Sequence, residues 1–152
     1  MKALIIYISV HHQNTLKIAK AMAGVLNADL KTAIEAKPEE LNNYDLIGFG
    51  SGIYIFRHHR KLLRFIDGLN NMNGKKAFIF STSGAGSEDL ERNHRKIKEA
   101  LADKGLELIG EFNCLGLDTF GPLGLFGGLN KGRPSDQDLD NARNFAKNLL
   151  TA

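Results

Sequence analysis

The chain is 152 residues long but has a single cysteine, Cys114, and only three prolines. One cysteine excludes an intramolecular disulfide, and a thiolate metal site would need other residue types to complete it, so a reducing, cytoplasmic setting is expected. Apolar runs are short, and none approaches the roughly 20 residues a membrane span requires. Met1-Lys2 followed by Ala3 to Ile8 imitates a signal peptide, with Ala21-Met22-Ala23 as a small-residue cleavage pattern. His11-His12-Gln13-Asn14, Lys17 and Lys20 interrupt it where a signal would stay apolar. Also missing are the Gly-Lys-Ser/Thr of a P-loop, zinc-finger spacings, RNP-type aromatic signatures and a Gly-x-Ser-x-Gly nucleophile elbow. The adjacent pairs His11-His12 and His58-His59 point apart on most backbones and have no acidic or cysteine partner at ligand spacing, so no metal is expected.

What remains is an ordinary globular composition, 43% hydrophobic and 24% charged, of a size suited to one domain over residues 1–152. The net charge of +3 is unevenly spread. Through Lys76 there are 11 basic and 6 acidic residues, and after it 9 and 11. Much of the excess lies in Arg57-His58-His59-Arg60-Lys61 and Arg64, read first as a solvated helix face. The same run offers a surface to a phosphate or an acidic protein; without aromatic signatures it argues little for nucleic acid.

Five runs rich in branched and aromatic residues alternate with helical periodicity, which predicts an α/β fold: a parallel sheet covered by helices on both faces. The strands are predicted at Ala3 to Ile8, about Asp29 to Ile34, Asp45 to Gly50, Lys76 to Ser81, and about Leu106 to Cys114. Helices are predicted from about Thr15 to Leu26, through Leu62, Leu63, Ile66 and Leu69 on one face with an end near Asp67-Gly68, from about Glu88 to Lys104, and after Pro134, where Ser135 and Asp138 have capping-box spacing. Strands one, three and four are near-continuously apolar, whereas two and five alternate, so two and five belong at the edges. With right-handed crossovers this gives the order 2-1-3-4-5 and a topological switch point between strands one and three.

Ligands of such sheets bind beyond the carboxyl ends of the strands at the switch point, and there the chain concentrates polar and glycine-rich loops. The first, Ser9-Val-His-His-Gln-Asn-Thr15, feeds a helix N-terminus and makes a phosphate cradle; alternatively Asn14 or Thr15 only caps the helix. The second, Gly50-Ser-Gly-Ile-Tyr54, combines glycines that let backbone approach a ligand with a flat aromatic side chain. The third, Ser81-Thr-Ser-Gly-Ala-Gly86, supplies hydroxyls and free backbone donors.

In this order the three loops resemble those of the flavodoxin family over nearly the whole chain, through Tyr7-Ile-Ser9 with Asn14-Thr15, Gly-Ser-Gly-Ile-Tyr and Ser-Thr-Ser-Gly. The resemblance implies a flavodoxin-like doubly wound domain that binds FMN and moves electrons with it. It implies that Ser9, His11, Gln13, Asn14 and Thr15 hold the phosphate, that Ser51, Gly52, Ile53 and Tyr54 flank one side of the ring, and that Thr82, Ser83 and Gly84 flank the other. It further implies that a backbone carbonyl of Gly50-Ser-Gly-Ile reorients toward the N5–H of the semiquinone, which Gly52 is expected to allow because glycine tolerates both peptide orientations. No catalytic residue of the protein is then needed, because the hard chemistry belongs to the cofactor.

The segment Leu115 to Arg133, with six glycines among Phe120, Leu123, Leu125, Phe126 and Leu129, is expected to fold over the flavin or form a docking surface, with Asp118 near the ring edge. A hairpin insertion extending strand five is the alternative. The expected partners are redox proteins or a small planar electron acceptor. Two other readings stay open: an FMN-dependent NAD(P)H, quinone or protoporphyrinogen-type oxidoreductase, and a flavin-free binding module.

Overall fold

The computed structural model describes residues 1–10, 13–83, 89–115 and 133–152. Five strands, β1 (Ala3–Ile8), β2 (Asp29–Thr32), β3 (Leu46–Gly52), β4 (Lys76–Ser83) and β5 (Glu107–Leu115), form one parallel sheet in the order β2-β1-β3-β4-β5. The helices are α1 (Asn14–Leu26), α2 (Arg60–Asp67), α3 (Leu90–Asp103) and α4 (Asp136–Leu149), with a 3-10 turn at Pro38–Asn43 that the sequence reading did not anticipate. Pro38 starts that turn, and Leu41 anchors it as a buried residue. The predicted order and edge strands are therefore the observed ones.

Because side chains alternate along a strand, each central strand feeds two cores. Leu4, Ile6, Ile47, Phe49, Ala77 and Ile79 meet Leu62, Ile66, Ile97 and Leu101 of α2 and α3 on one face. Ala3, Ile5, Leu46, Phe78 and Phe80 meet Ile18, Met22, Ala142, Ala146 and Leu149 of α1 and α4 on the other. Gly50 belongs to this second core. A Cβ there would lie 2.2 Å from the Phe80 ring, and one at Gly48 2.2 Å from the Phe78 ring. The space at Gly50, expected to admit a ligand, is filled by a neighbouring phenylalanine.

Element ends differ from the pattern reading where local hydrogen bonds decide them. β2 stops at Thr32, not Ile34, because the Thr32 amide donates to the Glu35 carboxylate (2.7 Å) while Glu35 N–H returns to Thr32 Oγ1 (3.2 Å), curling the chain away. β3 and β4 run two residues past their expected ends, since Ser51 and Gly52 pair with Ser81 and Thr82. α3 ends ahead of Gly105, whose φ of +82° suits a residue without a side chain. The capping box of α4 is present: Ser135 Oγ accepts from Asp138 N–H, the Asp138 carboxylate accepts from Ser135 N–H (2.7 Å), and the Arg133 guanidinium closes on the same carboxylate. None of the helices among the described residues is long and apolar enough to cross a membrane.

Candidate functional site

Beyond the carboxyl ends of β1 and β2 lies an open cavity of about 270 Å³ bounded by Tyr7, Ser9, Gln13, Ile34, His59 and Lys61. The β1 and β3 connections, which leave the sheet on opposite faces, both contribute to it, Gln13 from the first and His59 from the second. Among the described residues Lys61 is its one cationic side chain.

Of the first-loop candidates, Ser9 and Gln13 line the cavity, whereas His11 lies outside the described residues. The helix is not capped by Asn14 or Thr15, which are already its first two residues. Gln13 is the boundary residue, in the left-handed region at φ 53°, and the capping oxygen comes from Ser9, whose Oγ accepts Leu16 N–H (3.3 Å). Thr15 is turned inward, its hydroxyl 3.1 Å from that of Thr82 and both residues buried. The pair ties the start of α1 to the end of β4. Thr82 and Ser83 are thus the last residues of β4 and do not line the cavity, and Gly84 lies outside the described residues, as do Asp118 and the loop segment 116–132.

The second loop is a hairpin whose shape comes from Ser51. That residue is fully buried; its Oγ accepts His59 N–H (2.9 Å) and donates to the Gly52 carbonyl (2.7 Å). Ile53 N–H donates to Thr82 O (3.1 Å), Ile53 and His58 form an antiparallel bridge, and Tyr54 N–H donates to Arg57 O (2.7 Å). Between them Ile55 and Phe56 turn the chain at φ 50° and 59°. Two consecutive left-handed residues are the signature of a type I′ turn, which favours Asn-Gly; a branched and an aromatic residue there cost about 1–2 kcal/mol each. Tyr54 packs edge-on against the His59 ring, 5.1 Å between centroids and 84° between planes. His59 Nδ1 accepts Lys61 N–H (3.0 Å), capping α2. Burial, with Lys61 and Arg60 nearby, lowers the His59 pKa.

The basic run divides in two. Arg57, Arg60, Lys61 and Arg64 are exposed, as the helix-face reading expected, but His58 is wholly buried, its Nε2 2.9 Å from Phe80 O. Its ring lies 5.1 Å from that of His94 on α3. His94 Nε2 is 2.7 Å from Ser81 Oγ, which also accepts from Asn113 Nδ2 (2.8 Å). Glu111, 3.5 Å from His94 Nδ1, is held by Lys98 Nζ at 2.6 Å. Burial and the neighbouring His94 push His58 down to about 3; burial and Lys98 push His94 to about 4. Both imidazoles are neutral at pH 7, so the His94–Glu111 contact is no ion pair there. Because Asn113 donates to Ser81 Oγ, that hydroxyl is free to donate to Nε2 of a neutral His94, a tautomer that carries its proton on Nδ1, 3.5 Å from Glu111 in a contact that is not a hydrogen bond. Ser81 is therefore part of this internal network, not of the third loop's donor set.

The sequence reading missed Tyr7, Ile34, His59 and Lys61 as cavity residues. His59 and Lys61 were visible only as members of a charged run. Their convergence on Ser9 depends on the Ser51 hydroxyl drawing His59 back over the end of β3, which no local pattern announces. Among the described residues no group of three or more His, Cys, Asp or Glu side chains could hold a metal. Burial raises the Cys114 thiol to about 12, with Asp138 adding to the effect, so it stays protonated.

The family model described as a flavodoxin domain matches residues 4–119. An uncharacterized protein of Methanocaldococcus jannaschii is 50% identical over 151 residues, covering 99% of both chains. Oxidised flavodoxin 2 from Bacillus cereus superposes with a TM-score of 0.74 at 23% identity, covering 99% of each chain. A Fusobacterium nucleatum flavodoxin bound to flavin mononucleotide gives 0.69 at 12% identity, covering 99% of this chain and 98% of that one.

Proposed function

The chain belongs to the flavodoxin family, and from that premise we propose that it binds one FMN at the carboxyl edge of its sheet and carries electrons between redox partners in the cytoplasm. The observation that carries this reading is the cavity beyond the carboxyl ends of β1 and β2, lined by Ser9, Gln13, His59 and Lys61, with Tyr54 packed against His59 beside it.

The donor set suits the cofactor. At the polar end Ser9 and Gln13 stand beside the N-terminus of α1, whose first-turn N–H groups and partial positive charge favour a phosphate, and Lys61 adds a full positive charge. Next to it Gly52, Ile53 and Tyr54 provide backbone and an aromatic face for a planar ring, with Thr82 and Ser83 behind them. Asn14 and Thr15 begin the helix that points at the phosphate end, and Thr15 fixes its position through Thr82. Ser51 contributes by holding the hairpin in shape, since its hydroxyl is already engaged twice.

The bound flavin would supply one- and two-electron chemistry, which is why no nucleophile or catalytic acid is required of the chain. The protein's residues would orient the ring and limit water, with Gly52, whose carbonyl accepts from Ser51 Oγ, in the segment beside it. Residues 1–152 act in this reading as one FMN-binding unit.

Purified protein should be yellow and release one equivalent of FMN on denaturation. A colourless protein that takes up no added FMN overturns the reading. Steady consumption of NAD(P)H by the isolated protein with a quinone would instead mark a reductase; transfer only through a separate reductase marks a carrier.

A further inference from the structure

The helices α2 and α3 cover the same face of the sheet, and both begin at its carboxyl edge because each follows the end of a parallel strand. Their starts adjoin, since the buried rings of His58, just before α2, and His94 of α3 are 5.1 Å apart. The outer surface of the pair is basic. Arg60, Lys61 and Arg64 are exposed on α2, and Arg92, Arg95 and Lys96 on α3, each set at helical spacing. Arg92 is engaged, meeting Asp89 at 3.0 Å and lying over the Phe56 ring. Arg60, Arg64, Arg95 and Lys96 form no ion pair among the described residues, although Asp67 and Glu99 stand within a turn of them. The helices hold these charges at a cost. Arg60 and Lys61 occupy the first turn of α2, which contains no acidic residue, and there the partial positive charge of the helix opposes them. Arg60 with Arg64, and Arg92 with Lys96, are like charges four positions apart, a spacing at which they repel. Such departures from the local rules of helix design mark surfaces kept for a use.

We propose that this surface docks an acidic protein, whose carboxylates meet Arg60 and Arg64 of α2 and Arg95 and Lys96 of α3. Charge complementarity selects an anionic partner, and the pattern of charge selects protein. Asp67, Asp89, Glu91 and Glu99 are interleaved with the cations, which breaks the continuous positive track that a phosphodiester backbone follows. A folded protein can set single carboxylates against single cations. Arginine, three of the four, presents a planar fork that matches a carboxylate with two parallel hydrogen bonds. Lys61, in the first turn of α2, also lines the cavity, so a partner docked on this face stands next to it. That the partner is an electron carrier rests on the FMN reading; the docking itself does not.

The test measures binding of the full-length protein, as purified, to an immobilised acidic ferredoxin, a small iron–sulfur electron carrier. Binding is expected at low salt and should weaken steeply as salt rises. The variant Arg60→Gln/Arg64→Gln/Arg95→Gln/Lys96→Gln should lower affinity about threefold for each charge, on the order of eightyfold together. It should melt no lower than the wild type, because the four side chains hold no ion pair and two of them repel. Lys17→Gln/Lys20→Gln/Arg143→Gln/Lys147→Gln removes the same number of charges from α1 and α4, on the other face of the sheet, and should lower affinity less than about threefold. Failure of the wild type to bind at low salt overturns the proposal, as does an equal loss in the two variants, which reduces the effect to net charge. A lower melting midpoint in the first variant assigns the charges to the fold and also overturns it. So does tighter binding of a duplex DNA fragment through the same four residues. Flavin content of the same samples tests the FMN reading separately: a colourless protein that binds the ferredoxin leaves the docking surface standing, and a yellow one that does not bind removes it.

Discussion

Lowering the pH from 7 to 5 should cost this fold about 4 kcal/mol through two histidines alone. His58 and His94 are both fully buried, and their pKa values fall from 6.5 to about 3 and about 4. A base with a lowered native pKa binds protons more readily when unfolded. Its stabilising effect is therefore complete above 6.5 and drains away as the pH falls from there toward the native value. At pH 5 the unfolded imidazoles are protonated and the native ones are not, so each costs roughly 1.5 units times 1.36 kcal/mol, about 2 kcal/mol. That is a large fraction of a typical stability of about 5–15 kcal/mol. Paired carboxylates do not confuse this window. Burial alone would raise the Asp138 pKa, but hydrogen bonds from Arg133 and Ser135 outweigh it and hold it low, so its contribution is lost only in more acidic solution. Half-buried His59 has the same sign as the buried pair and adds to the loss. Urea unfolding at half-unit steps from pH 7 to 5 measures the slope, and His94→Gln should remove close to half of it while keeping an acceptor for Ser81. A midpoint that is flat across this range, or a slope untouched in both His94→Gln and His58→Gln, would refute the argument.

Three further outcomes follow from the geometry. Gly50→Ala should destabilise by about 1–3 kcal/mol in urea melts, because its Cβ lands 2.2 Å from the Phe80 ring, and Phe80→Leu should recover part of the loss in the double variant. Ser135→Ala should cost about 1 kcal/mol by removing half of the α4 capping box, and Ser135→Gly less. In Gly52→Ala the new Cβ would lie 3.3 Å from the Tyr54 hydroxyl, so the tyrosine must give way slightly. FMN should still bind, but the one-electron potentials measured by spectroelectrochemistry should shift; unchanged potentials would remove Gly52 from the proposed role.

The strand order was legible before any coordinates because burial on two faces and burial on one leave different patterns. Ala3-Leu-Ile-Ile-Tyr-Ile and Lys76-Ala-Phe-Ile-Phe-Ser cannot be edge strands without exposing a row of large apolar residues. Right-handed crossovers then leave few topologies. Capping at Ser135 and the helix stop at Gly105 were likewise local matters, written in the residues that make them.

The chain by itself thus determined the sheet, its edges and which end of it carries the polar loops, since periodicity and turn chemistry act over neighbours in sequence. Only the tertiary structure decided what each polar residue in those loops does. Ser81, Thr82 and Ser83 read alike in the sequence, yet Ser81 joins a buried histidine network and Thr82 braces α1. His58 and His59 are adjacent, yet one is sealed against Phe80 and the other bounds the cavity. Such differences arise from partners between 8 and 67 positions away, through hydrogen bonds that form only once the strands are in register.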